Sequence, residues 1–152
     1  MDDRRIIGAG AGDAFEDGAD RGRVLVSGHD TGGRYALMEW TVAPRPAGQA
    51  VAYGPHRHFE LEETFCIRVG HLEFLLDETV TTLGPGDVVR APPGIRHGYA
   101  NTSGGAVEML VGFHPGGFEA LFLKHRTDQP DPPPAEAFIE EATRLHTSAF
   151  ET

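Results

Sequence analysis

Short apolar stretches alternate with turn-forming residues from residue 23 to residue 113, a pattern typical of a β-sandwich or barrel. The clearest alternation covers residues 63–69, where the odd-numbered positions from Glu63 to Val69 share one face because strand side chains point alternately to two sides. Further inward-facing positions are predicted at Leu72, Phe74, Leu76, Val107, Met109, Val111 and Phe113. The pattern therefore predicts an all-β domain.

The two ends of the chain have a different character. Residues 1–22 are polar and rich in glycine, and we expect them to form a loosely ordered segment ahead of a barrel at residues 23–123. Apolar side chains recur at helical spacing in residues 118–125 and again in residues 135–150. Residues 124–152 are therefore predicted to form a Pro-rich connector and a C-terminal helix, which pack on the outside of the barrel or on a partner subunit.

Composition and charge exclude several classes of partner. The chain has 152 residues, enough for one ordinary domain, and a formal net charge of −10. This acidic excess disfavours nucleic acid and anionic membrane surfaces. Cys66 is the single cysteine, so no intrachain disulfide can form, and we expect a cytoplasmic protein. No apolar run approaches the roughly 20 residues that a membrane span needs.

Four residues have the chemistry of a metal site. His56 and His58 are two positions apart, so on a strand both imidazoles project from the same face. Glu63 comes after a bend, and its position matches the inward parity of Phe65, while His97 follows a Pro-Gly turn farther along the chain. Three imidazoles and one carboxylate suit one divalent transition metal (Zn, Ni, Fe, Mn, Co or Cu) and suit Ca or Mg poorly.

The segments around these residues resemble the two motifs of the cupin family. The first segment, residues 54–70, reads GPHRHFELEETFCIRVG and contains His56, His58 and Glu63. The second, residues 86–101, reads GDVVRAPPGIRHGYAN and contains His97. All spacings fit the family pattern. Within the cupins, the chain looks most like the single-domain, quercetin-dioxygenase-like proteins.

This resemblance implies a fold, a metal site and an assembly. The fold would be the cupin-type double-stranded β-helix, a jelly-roll barrel, with short C-terminal helices. The ligands would be His56, His58, Glu63 and His97, with Glu62 as an alternative carboxylate because the family tolerates either spacing. Glu63 would also serve as the catalytic general base. Cupins often pair through sheet edges, so a homodimer is expected.

Aromatic and apolar residues are expected to line a substrate pocket beside the metal. The candidates are Trp40, Tyr53, Phe65, Phe74, Tyr99, Met109 and Phe113. Together they predict a dry cavity for a flat organic molecule. The resemblance implies an enzyme acting on a small hydroxylated, aromatic substrate held at the metal as an enolate or phenolate, with dioxygenase-type chemistry. Two alternatives stay open: a metal-dependent cyclase, isomerase or decarboxylase of aromatic polyketide-type metabolism, and a cupin that binds a small molecule without catalysis.

Overall fold

The computed structural model describes residues 5–46 and 54–151. Within these residues the chain forms eleven β-strands and two short helices. The strands are β1 (Asp13–Asp17), β2 (Asp20–Val26), β3 (Ala36–Val42), β4 (His56–His58), β5 (Glu62–Val69), β6 (Leu72–Leu76), β7 (Thr79–Leu83), β8 (Val88–Ala91), β9 (His97–Ala100), β10 (Val107–His114) and β11 (Ser148–Phe150). The helices are α1 (Glu119–Lys124) and α2 (Ala135–Leu145).

The strands form two antiparallel sheets. One sheet has six strands in the order β1-β2-β3-β10-β5-β8, and the other has five in the order β11-β4-β9-β6-β7. Neighbours such as β3 and β10, or β4 and β9, are far apart in sequence, which is the crossing pattern of a jelly roll. This architecture confirms the predicted all-β double-stranded β-helix with short C-terminal helices.

The core lies between the sheets and follows from strict alternation along the central strands. In β3, every second residue from Ala36 to Val42 is buried. In β10, Val111 lies opposite Met38 of β3 and Phe65 of β5, so three inward side chains form one layer across neighbouring strands. Burying side chains of this size contributes about 1.5–3 kcal/mol each.

The prediction that Val69 faces inward is wrong. Val69 is 48% exposed, because the register between β5 and β10 shifts between Glu108 and Met109. An extra residue at such a bulge moves the following side chains out of the alternation. The inward face of β5 therefore ends at Ile67.

The predicted loose segment at residues 1–22 is also wrong for most of its described length. Strands β1 and β2 pair in register from Asp13 opposite Val24 to Asp17 opposite Asp20. Phe15 is 2% exposed and packs against Trp40, with ring centroids 5.6 Å apart. Phe15 of β1, Val24 of β2 and the ladder hydrogen bonds therefore hold the hairpin, although many of its other side chains are polar.

The C-terminal helix is shorter than its apolar spacing predicts. Helix α2 ends at Leu145, and residues 148–150 form β11 on the edge of the five-stranded sheet. Phe150 stands at a position compatible with the helical pattern, but its side chain packs against His56 of β4 instead. Within the described ranges, neither helix is long and apolar enough to cross a membrane.

Candidate metal centre

Three strands from both sheets bring the predicted ligands together. Strand β4 carries His56 and His58, and its antiparallel neighbour β9 places His97 directly opposite His56. Strand β5, in the other sheet, carries Glu63. One donor atom from each of the four residues lies within 4.8 Å of the donor atoms of the other three. The barrel thus gathers three histidines and one glutamate, the His/Glu donor set, closely enough to hold one metal ion.

Three of the four donors are nearly sealed from solvent, and His56 is half-buried. His58 and His97 are each 2% exposed, and Glu63 is 7% exposed. Glu63 Oε2 lies 3.0 Å from His97 Nε2 and 3.3 Å from His58 Nε2. The ring of His56 is 4.4 Å from that of His97 and 4.8 Å from that of His58, centroid to centroid. All four side chains therefore converge on one point inside the barrel.

Hydrogen bonds orient each imidazole through its other nitrogen. His56 Nδ1 lies 2.9 Å from the Gly54 carbonyl, and His97 Nδ1 lies 3.1 Å from the Ile95 carbonyl. A carbonyl can only accept, so in both rings the network assigns a proton to Nδ1, and Nε2 of His97 faces Glu63. His58 Nδ1 is held by the Ser148 hydroxyl at 2.8 Å. Outer contacts of this kind are characteristic of histidines that bind metals.

An unpartnered buried nitrogen shows that a metal ion fits this set. His58 Nε2 is buried and, although it faces Glu63, makes no hydrogen bond. Buried polar atoms rarely stay without a partner, because the lost hydration is not replaced. A divalent cation would accept this lone pair together with those of the other donors. Three imidazoles and a carboxylate form a set that suits transition metals, and nothing in it selects one metal over another.

The charges in the cluster are strongly coupled. Burial by itself would raise the pKa of Glu63, but the imidazoles of His58 and His97 hold it well below its ordinary range, so the carboxylate stays ionised. Burial lowers the pKa of His56 to about 4, with a further contribution from His97. Burial also acts to lower the pKa of His97, but the contact with Glu63 outweighs it and the net shift is upward. The contact with Glu63 therefore favours the protonated form of His97.

Glu63 reaches the cluster, and the alternative carboxylate, Glu62, does not. Adjacent residues on β5 point to opposite faces, so Glu62 lies on the outer surface. There it pairs with Arg90 of the neighbouring strand β8. Cys66, which has the same parity as Glu62, also lies on the face away from the metal centre, as its position predicts.

A cavity opens beside the cluster and shares His56, Glu63 and His97 with it. Its lining also includes Asp20, Trp40, Phe65, Gly98, Tyr99, Phe118, Phe122, Phe138 and Phe150. The cavity is small: its free volume is about 40 Å³, which is room for roughly three water molecules. Such a cavity accommodates a compact ligand, and a larger one would need the walls to move.

The predicted pocket residues divide into two groups. Trp40, Phe65 and Tyr99 line the cavity. The remaining described candidates, Phe74, Met109 and Phe113, are buried in the core away from the lining. Tyr53, also predicted to line the pocket, lies outside the described residues.

Four phenylalanines of the cavity wall are not among the pocket residues that the sequence predicts. Phe118, Phe122, Phe138 and Phe150 come from the C-terminal segment, which was expected to pack on the outside. Their apolar spacing indicates that they are buried, but it does not indicate which surface they cover. Asp20 also borders the cavity, and its carboxylate is held by the Arg45 guanidinium at 2.9 Å and 3.0 Å.

Among the residues that line the cavity, Tyr99 carries a hydroxyl group. Burial raises the pKa of this hydroxyl above its ordinary value, and the nearby charges of Asp20 and Glu63 raise it further. Tyr99, a residue of the cavity lining, therefore keeps its proton and can donate a hydrogen bond. Glu63, on the same wall, faces the cavity as an acceptor.

Comparison with known proteins agrees with this architecture. Residues 39–113 match the family model described as a cupin domain. A sugar phosphate isomerase of the cupin superfamily from Silicibacter pomeroyi is 16% identical, with a TM-score of 0.59 over 72% of this chain and 74% of that chain. A predicted oxalate decarboxylase from Thermotoga maritima is 22% identical, with a TM-score of 0.57 over 63% of this chain and 80% of that chain.

Pac13 from Streptomyces, described as a nucleoside dehydratase, is a third similar structure. It is 16% identical, with a TM-score of 0.57 over 77% of this chain and 87% of that chain. At these identities the likeness shows the fold and not the reaction. No curated protein matches the sequence.

Proposed function

We propose that this chain, whose residues 39–113 match the cupin domain model, is an enzyme that uses one divalent transition-metal ion to act on a small hydroxylated substrate. The observation that carries the proposal is that three residues of the His/Glu donor set lie on the wall of a partly enclosed aromatic cavity. A buried set of ligands alone would serve a structural ion equally well. A cavity that shares three of the four ligands leaves room for a substrate beside the ion.

The residues of the site have two roles, metal binding and proton transfer. When bound, the metal supplies a Lewis acid that favours ionisation of a hydroxyl group beside it. Glu63 is ionised and faces the cavity, so it can take the proton that leaves the substrate as an enolate or phenolate forms. Tyr99 can donate a hydrogen bond to the resulting oxyanion. The phenyl rings around the cavity exclude water and strengthen these interactions.

Dioxygenation of a hydroxylated aromatic compound is the reaction we place first. Two features support it: the aromatic lining and the resemblance of residues 54–70 and 86–101 to quercetin-dioxygenase-like cupins. The cavity size narrows the substrate to a compact molecule or to one that enters with a single small end.

A second candidate uses the same residues without oxygen. Glu63 and Tyr99 place a proton acceptor and a proton donor on one cavity wall, which suits isomerisation, cyclisation, dehydration or decarboxylation through an enolate. The similar folds named as a sugar phosphate isomerase, a nucleoside dehydratase and a predicted oxalate decarboxylase support this candidate. Oxygen consumption separates it from the first.

The test compares Glu63→Gln with Glu62→Gln, its neighbour on the outer face. Both variants are loaded with metal to the wild-type level and assayed against a panel of compact phenols and enols, with and without oxygen. Glu63→Gln keeps the shape but removes the proton acceptor, so its turnover should fall by about 100- to 10,000-fold. Glu62→Gln should retain wild-type turnover, because Glu62 contacts Arg90 on the outer surface.

Each outcome of this assay has a separate meaning. Turnover with consumption of oxygen supports dioxygenation, and turnover in its absence supports the second candidate. Equal activity of the two metal-loaded variants would remove Glu63 from the proton-transfer role. Metal-loaded wild-type protein that turns over nothing in the panel would contradict the enzyme proposal and favour a cupin that only binds its ligand.

A further inference from the structure

Strand β11 lies outside the matched cupin domain and pairs with the strand that carries two of the predicted ligands. Its register with β4 places Ser148 opposite His58 and Phe150 opposite His56. Residues directly opposite each other in an antiparallel pair have side chains on the same face. The two ends of β11 therefore point to the side of the sheet where the metal centre lies.

Ser148 is the first of these two contacts. It is 4% exposed, and its Oγ lies 2.8 Å from His58 Nδ1 and 3.4 Å from the His146 carbonyl. The carbonyl can only accept, so the hydroxyl proton points to it and an oxygen lone pair accepts from His58 Nδ1–H. This arrangement fixes the His58 tautomer that leaves Nε2 free for a metal.

His58 depends on a remote residue in a way that the other two imidazoles do not. His56 and His97 are each held by the carbonyl two positions earlier in the chain, at Gly54 and Ile95. These contacts form whenever the local strand forms. The partner of His58 is 90 residues away in sequence, so this orientation requires the C-terminal segment to be in place.

Phe150 is the second contact, and it lies in the cavity wall. Its ring stacks on His56 with the centroids 4.8 Å apart and the planes at 23°, and it forms part of the cavity wall. Backbone hydrogen bonds tie the segment to the barrel on both sides of β11, from Phe59 N to the Thr147 carbonyl at 3.0 Å and from Glu151 N to the Pro55 carbonyl at 2.9 Å.

We propose that residues 146–151 are a functional part of the metal centre, in which Ser148 is a positioning residue for His58 and Phe150 determines the size of ligand that the cavity accepts. This inference rests on the proposed function, since it takes the His/Glu donor set to bind a metal. The segment connects the two properties, because it carries both the hydrogen-bond partner of His58 and part of the cavity wall.

The test of Ser148 measures metal affinity. Cobalt(II) binding to full-length Ser148→Ala is determined by competition with a chelator and compared with wild type, Ser148→Thr and Thr143→Ala. Loss of an outer-shell partner typically weakens metal binding by about 10- to 100-fold, which we expect for the alanine variant. Threonine retains the hydroxyl and should restore affinity. Thr143 donates a hydroxyl to the Ile139 carbonyl within α2, remote from the ligands, so its loss should leave affinity unchanged.

The test of Phe150 measures ligand size and does not depend on Ser148. Cobalt-loaded wild type, Phe150→Ala and Phe59→Ala are titrated with acetate and with benzoate, and the visible spectrum of the ion reports binding. Removing the ring should shift the preference towards benzoate by about 10-fold or more. Phe59 is 50% exposed and is absent from the cavity lining, so its variant should show the wild-type preference.

The outcomes separate this inference from the proposed function. Wild-type protein that binds no cobalt contradicts the metal-dependent function itself. Wild-type protein that binds cobalt, with Ser148→Ala of equal affinity or Phe150→Ala of equal preference, overturns the corresponding role of the segment. Ser148→Ala with reduced affinity that Ser148→Thr does not restore would also count against the hydroxyl as the positioning group.

Discussion

His56 and His97 lie opposite each other on neighbouring strands, but their pKa values shift in opposite directions. Burial lowers the pKa of His56 to about 4, so this ligand is neutral and ready to bind a metal at any pH near neutrality. Burial acts on His97 in the same direction, but Glu63 at 3.0 Å reverses the net shift and raises its pKa above 6.5. A metal that binds His97 must therefore displace a proton that Glu63 stabilises.

This difference predicts a two-stage dependence of metal affinity on pH. Below the raised pKa of His97, affinity should fall by about 10-fold for each unit of pH, because one proton competes with the ion. Below about pH 4 the fall should steepen as His56 also becomes protonated. Above the raised pKa of His97 the affinity should level off. Competition titrations across this range provide the measurement, and a flat profile from neutral pH to pH 4 would mean that His97 is not a ligand.

The sequence predicts the donor set better than it predicts the cavity. The alternation of side chains along the strands and the motif spacing predict His56, His58, Glu63 and His97 as the donors. The alternation also favours Glu63 over Glu62. The alternation cannot distinguish residues of the packed core from residues that line the cavity, because both groups face inward. The orientation of His58 is likewise invisible in sequence, since its partner Ser148 lies in a segment with no recognisable motif.

At the scale of elements, the short edge strands β1 and β11 are the least predictable from the sequence. β11 has only three residues, too few for alternation to be read, and its last residue also continues the helical spacing of α2. β1 carries one buried aromatic, Phe15, among polar residues. Both strands depend on pairing with neighbours, which local sequence does not encode. The long central strands β3, β5 and β10 bury alternate residues over most of their length and are predictable for that reason.

Asn101 fixes the loop that follows β9. It is fully buried, and its Nδ2 donates to the Val42 carbonyl at 3.0 Å and to the Gly105 carbonyl at 2.7 Å. Its Oδ1 accepts from the backbone N–H and the hydroxyl of Ser103. One amide thus joins the end of β3 to the loop between β9 and β10.

Replacing Asn101 should therefore lower stability. Asn101→Ala removes the amide that donates to the buried Val42 carbonyl and holds the Ser103 loop, and the free energy of unfolding should fall by about 1–3 kcal/mol. Urea denaturation of the metal-free protein measures the change. Gln129→Ala is the matched control, because its amide also donates to two carbonyls, those of Lys124 and Arg126, but near the surface. An equal loss in the two variants, or none in Asn101→Ala, would contradict this role.

At the scale of the whole molecule, the candidate metal joins the two sheets. His56, His58 and His97 lie in the five-stranded sheet, and Glu63 lies in the six-stranded sheet. An ion held by all four would connect the walls of the barrel at its centre, where the structure leaves His58 Nε2 without a hydrogen bond. Metal binding and folding stability should therefore be linked.

This linkage predicts a shift in thermal unfolding. Free metal at 100 times its dissociation constant should add about 2.7 kcal/mol to the free energy of unfolding. For a chain of 152 residues this corresponds to about 5–10 °C in Tm. Calorimetry with and without added metal measures the shift. The His97→Ala variant should show a much smaller shift, and a shift equal to that of wild type would place the ion elsewhere.

The metal content of the purified protein tests the central claim most directly. Wild-type chain, stripped with a chelator, reconstituted with Zn, Ni, Fe or Mn and freed of excess ion, should carry close to one ion per chain by elemental analysis. His56→Ala and His97→Ala should lose most of it, while His71→Ala, which changes an exposed histidine outside the cluster, should retain it. Wild-type protein that holds none of these metals, or ligand variants that hold as much as wild type, would contradict the account.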